Sequence, residues 1–284
     1  MQRLLATALL LAFLCRPVMA EDSGLPSRRL FVCAHSFMIF TGDMLKPMVQ
    51  AAGVPHVDAG QQMIGGSRVI QHWELPDGRN KAKAALRAGK VDVLTLSPHV
   101  QIPDPGIDNF AKLGFEKNPN LRVLVQASWP AFDDMSGSPK GRVDRNAATL
   151  ESLRELRRVQ NTTWRKQLET QVQALNESLG APVAAIIPVN DAVFALREHI
   201  VEGKAPGLSR QSDLFTDEIG HPKPPLSLLV TYCHFAAIHR RSPVGLPVPE
   251  PYRAVPRAAE LNLLLQQLAW EAVSAYQLDT AKAR

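Results

Sequence analysis

Cysteine is scarce in this chain, with three among 284 residues, at positions 15, 33 and 233. A framework of several disulfides is therefore excluded. Long apolar runs are missing too. Beyond the N-terminal stretch, no segment offers the roughly 18 uninterrupted apolar residues needed to cross a bilayer, so stable membrane insertion is not expected. Basic charge is not gathered in one place: 32 Lys and Arg against 27 Asp and Glu give a formal charge of +5. The only clusters are pairs such as Arg28-Arg29, Arg157-Arg158 and Arg240-Arg241, so nucleic acid is not an expected partner. Internal repeats and low-complexity segments are absent. So is the metalloprotease pair of histidines around a glutamate, and His234 and His239, five apart, do not share a helix face. No metal and no cofactor is expected.

What is present begins with a leader. Residues 1–20, "MQRLLATALLLAFLCRPVMA", combine a basic start at Arg3, an apolar run from Leu4 to Leu14 and a small-residue ending at Ala20. This reads as a signal peptide cleaved near Ala20, which predicts an exported protein, periplasmic or extracellular. The remaining 264 or so residues suit a single domain over 21–284 with a C-terminal helical extension from about residue 250. Cys33 and Cys233 both lie in apolar surroundings, as two buried thiols or one bridge.

Four near-continuous apolar segments read as strands covered on both faces: "LFVCA" (30–34), "VDVLTLS" (91–97), "LRVLVQAS" (121–128) and "PVAAIIPV" (182–189). A weaker fifth spans His56 to Met63. Helix-like stretches lie between them, one starting at Ser36 and closing on Gly53, another on Gly89, and a long one from 146 closing on Gly180. The alternation predicts an α/β fold, a three-layer α/β/α sandwich around a mainly parallel sheet.

Ligands in such sheets sit beyond the carboxyl ends of the strands. Ser36 stands at that edge, directly after the first strand, where a hydroxyl can act as a nucleophile if a histidine base held by a carboxylate reaches it. On local sequence alone the better reading is that it caps the following helix, Ser being a favoured capping residue. Asp217 and His221, four apart in the Gly/Pro-bearing segment "SDLFTDEIGHPKPP" (212–225), can deliver a base and its orienting carboxylate together; a solvated turn would look the same. Gly65 and Gly66, after the second strand, permit the close backbone approach of an oxyanion donor or simply form a tight turn. Trp73 and Trp129 each follow a candidate site loop and are either a sugar-stacking wall or core packing.

A serine after the first strand, a glycine after the second, and a late Asp and His in one loop resemble the SGNH/GDSL hydrolase family. "LFVCAHSF" is similar to a Leu-Phe-Ile-Gly-Asn-Ser-Phe variant of its nucleophile motif, and "LFTDEIGHPKPPLSLLVTYCHF" resembles its closing Asp, His and helix. The resemblance implies a flavodoxin-like sandwich and an esterase whose Ser36 attacks an ester carbonyl, with His221 as base and Asp217 orienting it. The amides of Ser36 and of Gly65 or Gly66 would form the oxyanion hole. It further implies a small-molecule or carbohydrate ester as substrate. Departures are also visible. His35 replaces the Asp or Asn before the serine, and the His221 partner is Asp217, Asp213 or Glu218. The third strand ends in "LTLSPHV" without the family's asparagine donor, leaving Ser97 or His99 in its place. His35, Ser97, His99, Trp73 and Trp129 are thus candidate substrate-binding residues. The missing donor also keeps open a non-catalytic carbohydrate-binding or cell-envelope protein on the same fold.

Overall fold

The computed structural model describes residues 28–135 and 144–282; the leader and its cleavage site lie outside the described residues. Five parallel strands, β1 (Arg28–Ala34), β2 (His56–Met63), β3 (Val93–Leu96), β4 (Arg122–Gln126) and β5 (Ala184–Ile187), form one sheet in the order β2-β1-β3-β4-β5. This is the flavodoxin-like order, and its direction reverses between β1 and β3. The continuous apolar runs have a simple cause. In β1, Leu30, Val32 and Ala34 enter one core layer while Phe31 and Cys33 enter the other, so neither face tolerates a polar residue. On β2, at the sheet's edge, only Gln62 is buried. That explains its weak sequence signal.

One layer holds α1 (Thr41–Ala51), α7 (Val189–Val201), α8 (Pro224–His239) and α9 (Ala258–Lys282). The opposite layer holds α2 (Val69–Trp73), α3 (Lys81–Arg87), α4 (Pro105–Lys117) and α6 (Lys166–Leu179). Helix α8 lacks a polar face because it packs against α1, α7 and α9. Cys33 and Cys233 are free buried thiols in opposite layers, so the bridge is not made.

Two helix boundaries differ from the sequence expectation. The chain makes turns from Ser36 to Phe40, and α1 starts only at Thr41, so Ser36 does not cap it. The long helix is interrupted: α5 (Leu150–Gln160) passes through a π-helical turn, Asn161–Arg165, before α6. The wider turn breaks the 3.6-residue periodicity on which a single apolar stripe depends.

Candidate active site

The carboxyl ends of β1 and β3 flank the point where strand order reverses, and the chain segments leaving them carry His35-Ser36 and Ser97-Pro98-His99. The loop before α8 reaches the same edge. Ser36 Oγ lies 2.9 Å from His221 Nε2, and His221 Nδ1 lies 2.6 Å from Asp217 Oδ2. With Nδ1-H donating to the carboxylate, Nε2 presents its lone pair to the serine proton, which is the tautomer a general base requires. Asp217 also accepts the amides of Gly220 (2.9 Å) and His221 (3.1 Å). Partial burial pushes its carboxyl up, but the hydrogen bonds from the His221 ring and these two amides outweigh it and hold it below the ordinary carboxylate value. Asp213 is occupied elsewhere, accepting the amides of Ser209 and Arg210.

His35 is a buried pin. Its Nδ1 accepts the amide of Phe37 (3.2 Å), so Nε2 carries the proton toward Ser97 Oγ (2.8 Å) and Pro98 O (3.3 Å). Burial keeps it neutral, lowering its pKa to about 4. Ser97 is fully buried and committed to that bond. Both were candidates for substrate binding; Ser97 does not reach the cavity, His35 lines it, and together they tie the end of β1 to the end of β3 and hold the Ser36 turn in place.

The Gly65-Gly66 turn is braced from behind. Gln62 Nε2 donates to His72 Nδ1 (3.2 Å), His72 Nε2 meets Ser67 Oγ (2.9 Å), and Ser67 Oγ donates to Ile64 O (3.0 Å). A Cβ at Gly65 or Gly66 would meet nothing within 4 Å. Among the described residues the amides of Ser36, Gly65 and Gly66 have no hydrogen-bond acceptor. Three free N-H groups at one rim are what an oxyanion needs.

A cavity of about 490 Å³ opens beside the relay, lined by His35, Ser36, Gly65, Gly66, His99 and His221 together with Trp129, Phe132, Met135 and Trp164. Trp129 belongs to this wall, stacked on Phe37 at 4.7 Å with its Nε1 donating to Gly220 O (3.0 Å). Trp73 does not line it. Its ring packs edge-on against Phe110 at 5.1 Å, under the Lys83 ammonium. Its place next to a site loop in sequence does not survive the turn of α2. His99 is half-buried beside His35, ring centroids 5.9 Å apart, and burial lowers its pKa, helped by nearby Arg68.

Sequence reasoning passed over the support of the loop that carries Asp217 and His221. Arg145, 6 % exposed, donates through Nη1 to Asp217 O (3.1 Å) and through Nη2 to Ile219 O (3.3 Å). Its Nε reaches Asp133, whose carboxylate is also gripped by the buried Arg197 at 2.6 and 2.8 Å. Phe132 and Asp133 adopt positive φ (57° and 52°), a conformation that side chains disfavour, and these ion pairs fix it. The same segment is a wall of the cavity, and Phe132 N donates to Ile219 O. An arginine among apolar residues, as in "VFALREHI" on α7, is the one sequence signal that could have pointed here.

Among the described residues no group of His, Cys, Asp and Glu is arranged to hold a metal ion, and no helix is long and apolar enough to cross a membrane. No family model matches the chain, and no curated protein matches it. In structure it is similar to a DUF4886 family protein from Bacteroides uniformis ATCC 8492, with a TM-score of 0.52 over 88% of this chain and 95% of that one at 13% identity. That likeness is one of fold, extending over most of both chains.

Proposed function

We propose that the chain is an exported serine esterase of the SGNH/GDSL type, acting on a small-molecule or carbohydrate ester through an acyl-enzyme. The observation that carries this reading is the unbroken relay Ser36, His221, Asp217, with links of 2.9 and 2.6 Å, at the mouth of a cavity. Ser36 Oγ attacks the ester carbonyl carbon while His221 Nε2 takes its proton, and Asp217 stabilises the imidazolium. The oxyanion collects the amides of Ser36 and the Gly65-Gly66 turn, each such fixed donor supplying about 3 to 4 kcal/mol in a dry site. Collapse breaks the ester bond, and His221 returns the proton to the departing alcohol. Water then repeats the sequence on the acyl-enzyme and frees the acid. Because Ser97 is spent on His35, His99 is the only polar side chain from the loop after β3 that lines the cavity and can stand in for the missing asparagine.

The test is labelling by a fluorophosphonate probe together with hydrolysis of p-nitrophenyl acetate. Wild-type protein should label and hydrolyse, Ser36→Ala should do neither, and His221→Ala should label at least a hundredfold more slowly. Folded wild-type protein that never labels would replace this reading with the non-catalytic one.

A further inference from the structure

We infer that the cavity beside Ser36 is an acyl site, shaped for an apolar chain of several carbons rather than for an acetyl group or a sugar ring. This rests on the esterase reading and goes beyond it by naming which half of the ester the cavity takes. Three observations point the same way. The size comes first: about 490 Å³ is within the range of roughly 300 to 1,000 Å³ that encloses whole small ligands and far exceeds a two-carbon group.

The second is the wall. Its apolar lining is Val100, Trp129, Phe132, Met135, Trp164 and Ile219. The third is the state of the polar groups among them. Ser128 Oγ accepts from Gln126 (2.7 Å), Gln160 donates to Ser128 O (2.7 Å) and takes up Asn190 (3.4 Å), and Trp164 Nε1 donates to His99 O (3.1 Å). These groups already have partners inside the protein, which leaves few free sites for sugar hydroxyls. Among the described residues Asp134 adds one carboxylate to the lining, already partnered, and no Lys or Arg lines the cavity. A sugar ring there would find few unpaired groups to replace its hydration, whereas an alkyl chain loses nothing by leaving water. The acyl chain extends from the carbonyl at Ser36 inward, and the alcohol leaves toward the open rim.

The experiment has two readouts. The first is kcat/KM for p-nitrophenyl esters from acetate to decanoate: each added methylene should raise it about fourfold until the chain fills the cavity. Val100 belongs to neither core layer, so Val100→Phe should fill space in the cavity and move the optimum to a shorter chain. The second readout needs no catalysis. Octanoate should shift the tryptophan fluorescence of Ser36→Ala, since Trp129 and Trp164 line the site, and Val100→Phe in that background should weaken this binding at least tenfold. Rates that are greatest with acetate, in an enzyme whose Ser36 labels, would overturn the acyl site and leave the esterase standing. Absent labelling with octanoate still bound would overturn the esterase and keep the apolar site; no octanoate binding overturns the acyl site under either outcome.

Discussion

Replacing Arg145 with alanine tests whether the loop carrying Asp217 and His221 is held from behind. The guanidinium donates to Asp217 O at 3.1 Å and Ile219 O at 3.3 Å and covers the Phe215 ring at 4.4 Å. Hydrogen bonds from a charged donor contribute about 1.5 to 3 kcal/mol each, and these are long, so the pair stands near the lower figure, about 3 kcal/mol together. Asp133 is not orphaned by the change, because Arg197 keeps both its oxygens at 2.6 and 2.8 Å. We therefore expect a loss of about 2 to 4 kcal/mol in denaturant unfolding. The loop carries His221, and a shift of its ring by about 1 Å slows reaction roughly a hundredfold. Fluorophosphonate labelling of Ser36 and ester hydrolysis should fall together by about that factor at a temperature where the variant is fully folded. Arg145→Lys should recover part of the stability but little of the rate, since one ammonium cannot span both carbonyls. An Arg145→Ala protein with a wild-type denaturation midpoint and wild-type labelling would refute the reasoning.

Asp217→Asn removes the charge that orients His221 and stabilises its protonated form, and should lower kcat/KM roughly 10²- to 10⁴-fold with the fold intact by circular dichroism; Asp213→Asn should leave the rate within a few-fold, its oxygen being bound to the Ser209 and Arg210 amides. Gly106→Ala should destabilise by at least about 1 to 3 kcal/mol in urea unfolding, because its Cβ would lie 2.3 Å from Ile70 N and Val69 C, where α4 abuts α2. A midpoint equal to wild type would show that the two helices part freely. Acidification should also unfold the protein. Burial lowers His35, His72 and His239 to about 4 and His234 to about 3, whereas an unfolded histidine titrates near about 6.5. The unfolded chain then binds more protons between those values, so stability is whole above about pH 6.5 and is lost as pH falls toward 4. Thermal midpoints that stay flat from about pH 7 to about pH 4.5 would contradict it.

Much of this fold is written locally. Strands enclosed on both faces must be apolar at every position, so β1, β3, β4 and β5 show as continuous runs, and the α/β alternation fixes their parallel direction. Ser36, Asp217 and His221 could be proposed because a strand end and a Gly/Pro-bearing loop are local features too. The boundary of α1 could not be placed, since the turns from Ser36 to Phe40 are held by the His35 carbonyl and the relay rather than by propensity.

What only tertiary structure decided is whatever depends on residues distant in sequence. Ser36 and His221 are 185 positions apart, and their 2.9 Å approach exists because β1 and the loop before α8 end at one edge of the sheet. The Arg145, Asp133 and Arg197 cluster joins three separate segments, and no spacing rule connects them. Trp73 and Trp129 occupy equivalent positions along the sequence, yet one faces Phe110 and the other the cavity. Sequence determined which segments are buried, because burial is a property of each side chain in water; the fold alone determined which side chains meet, because meeting is a property of pairs.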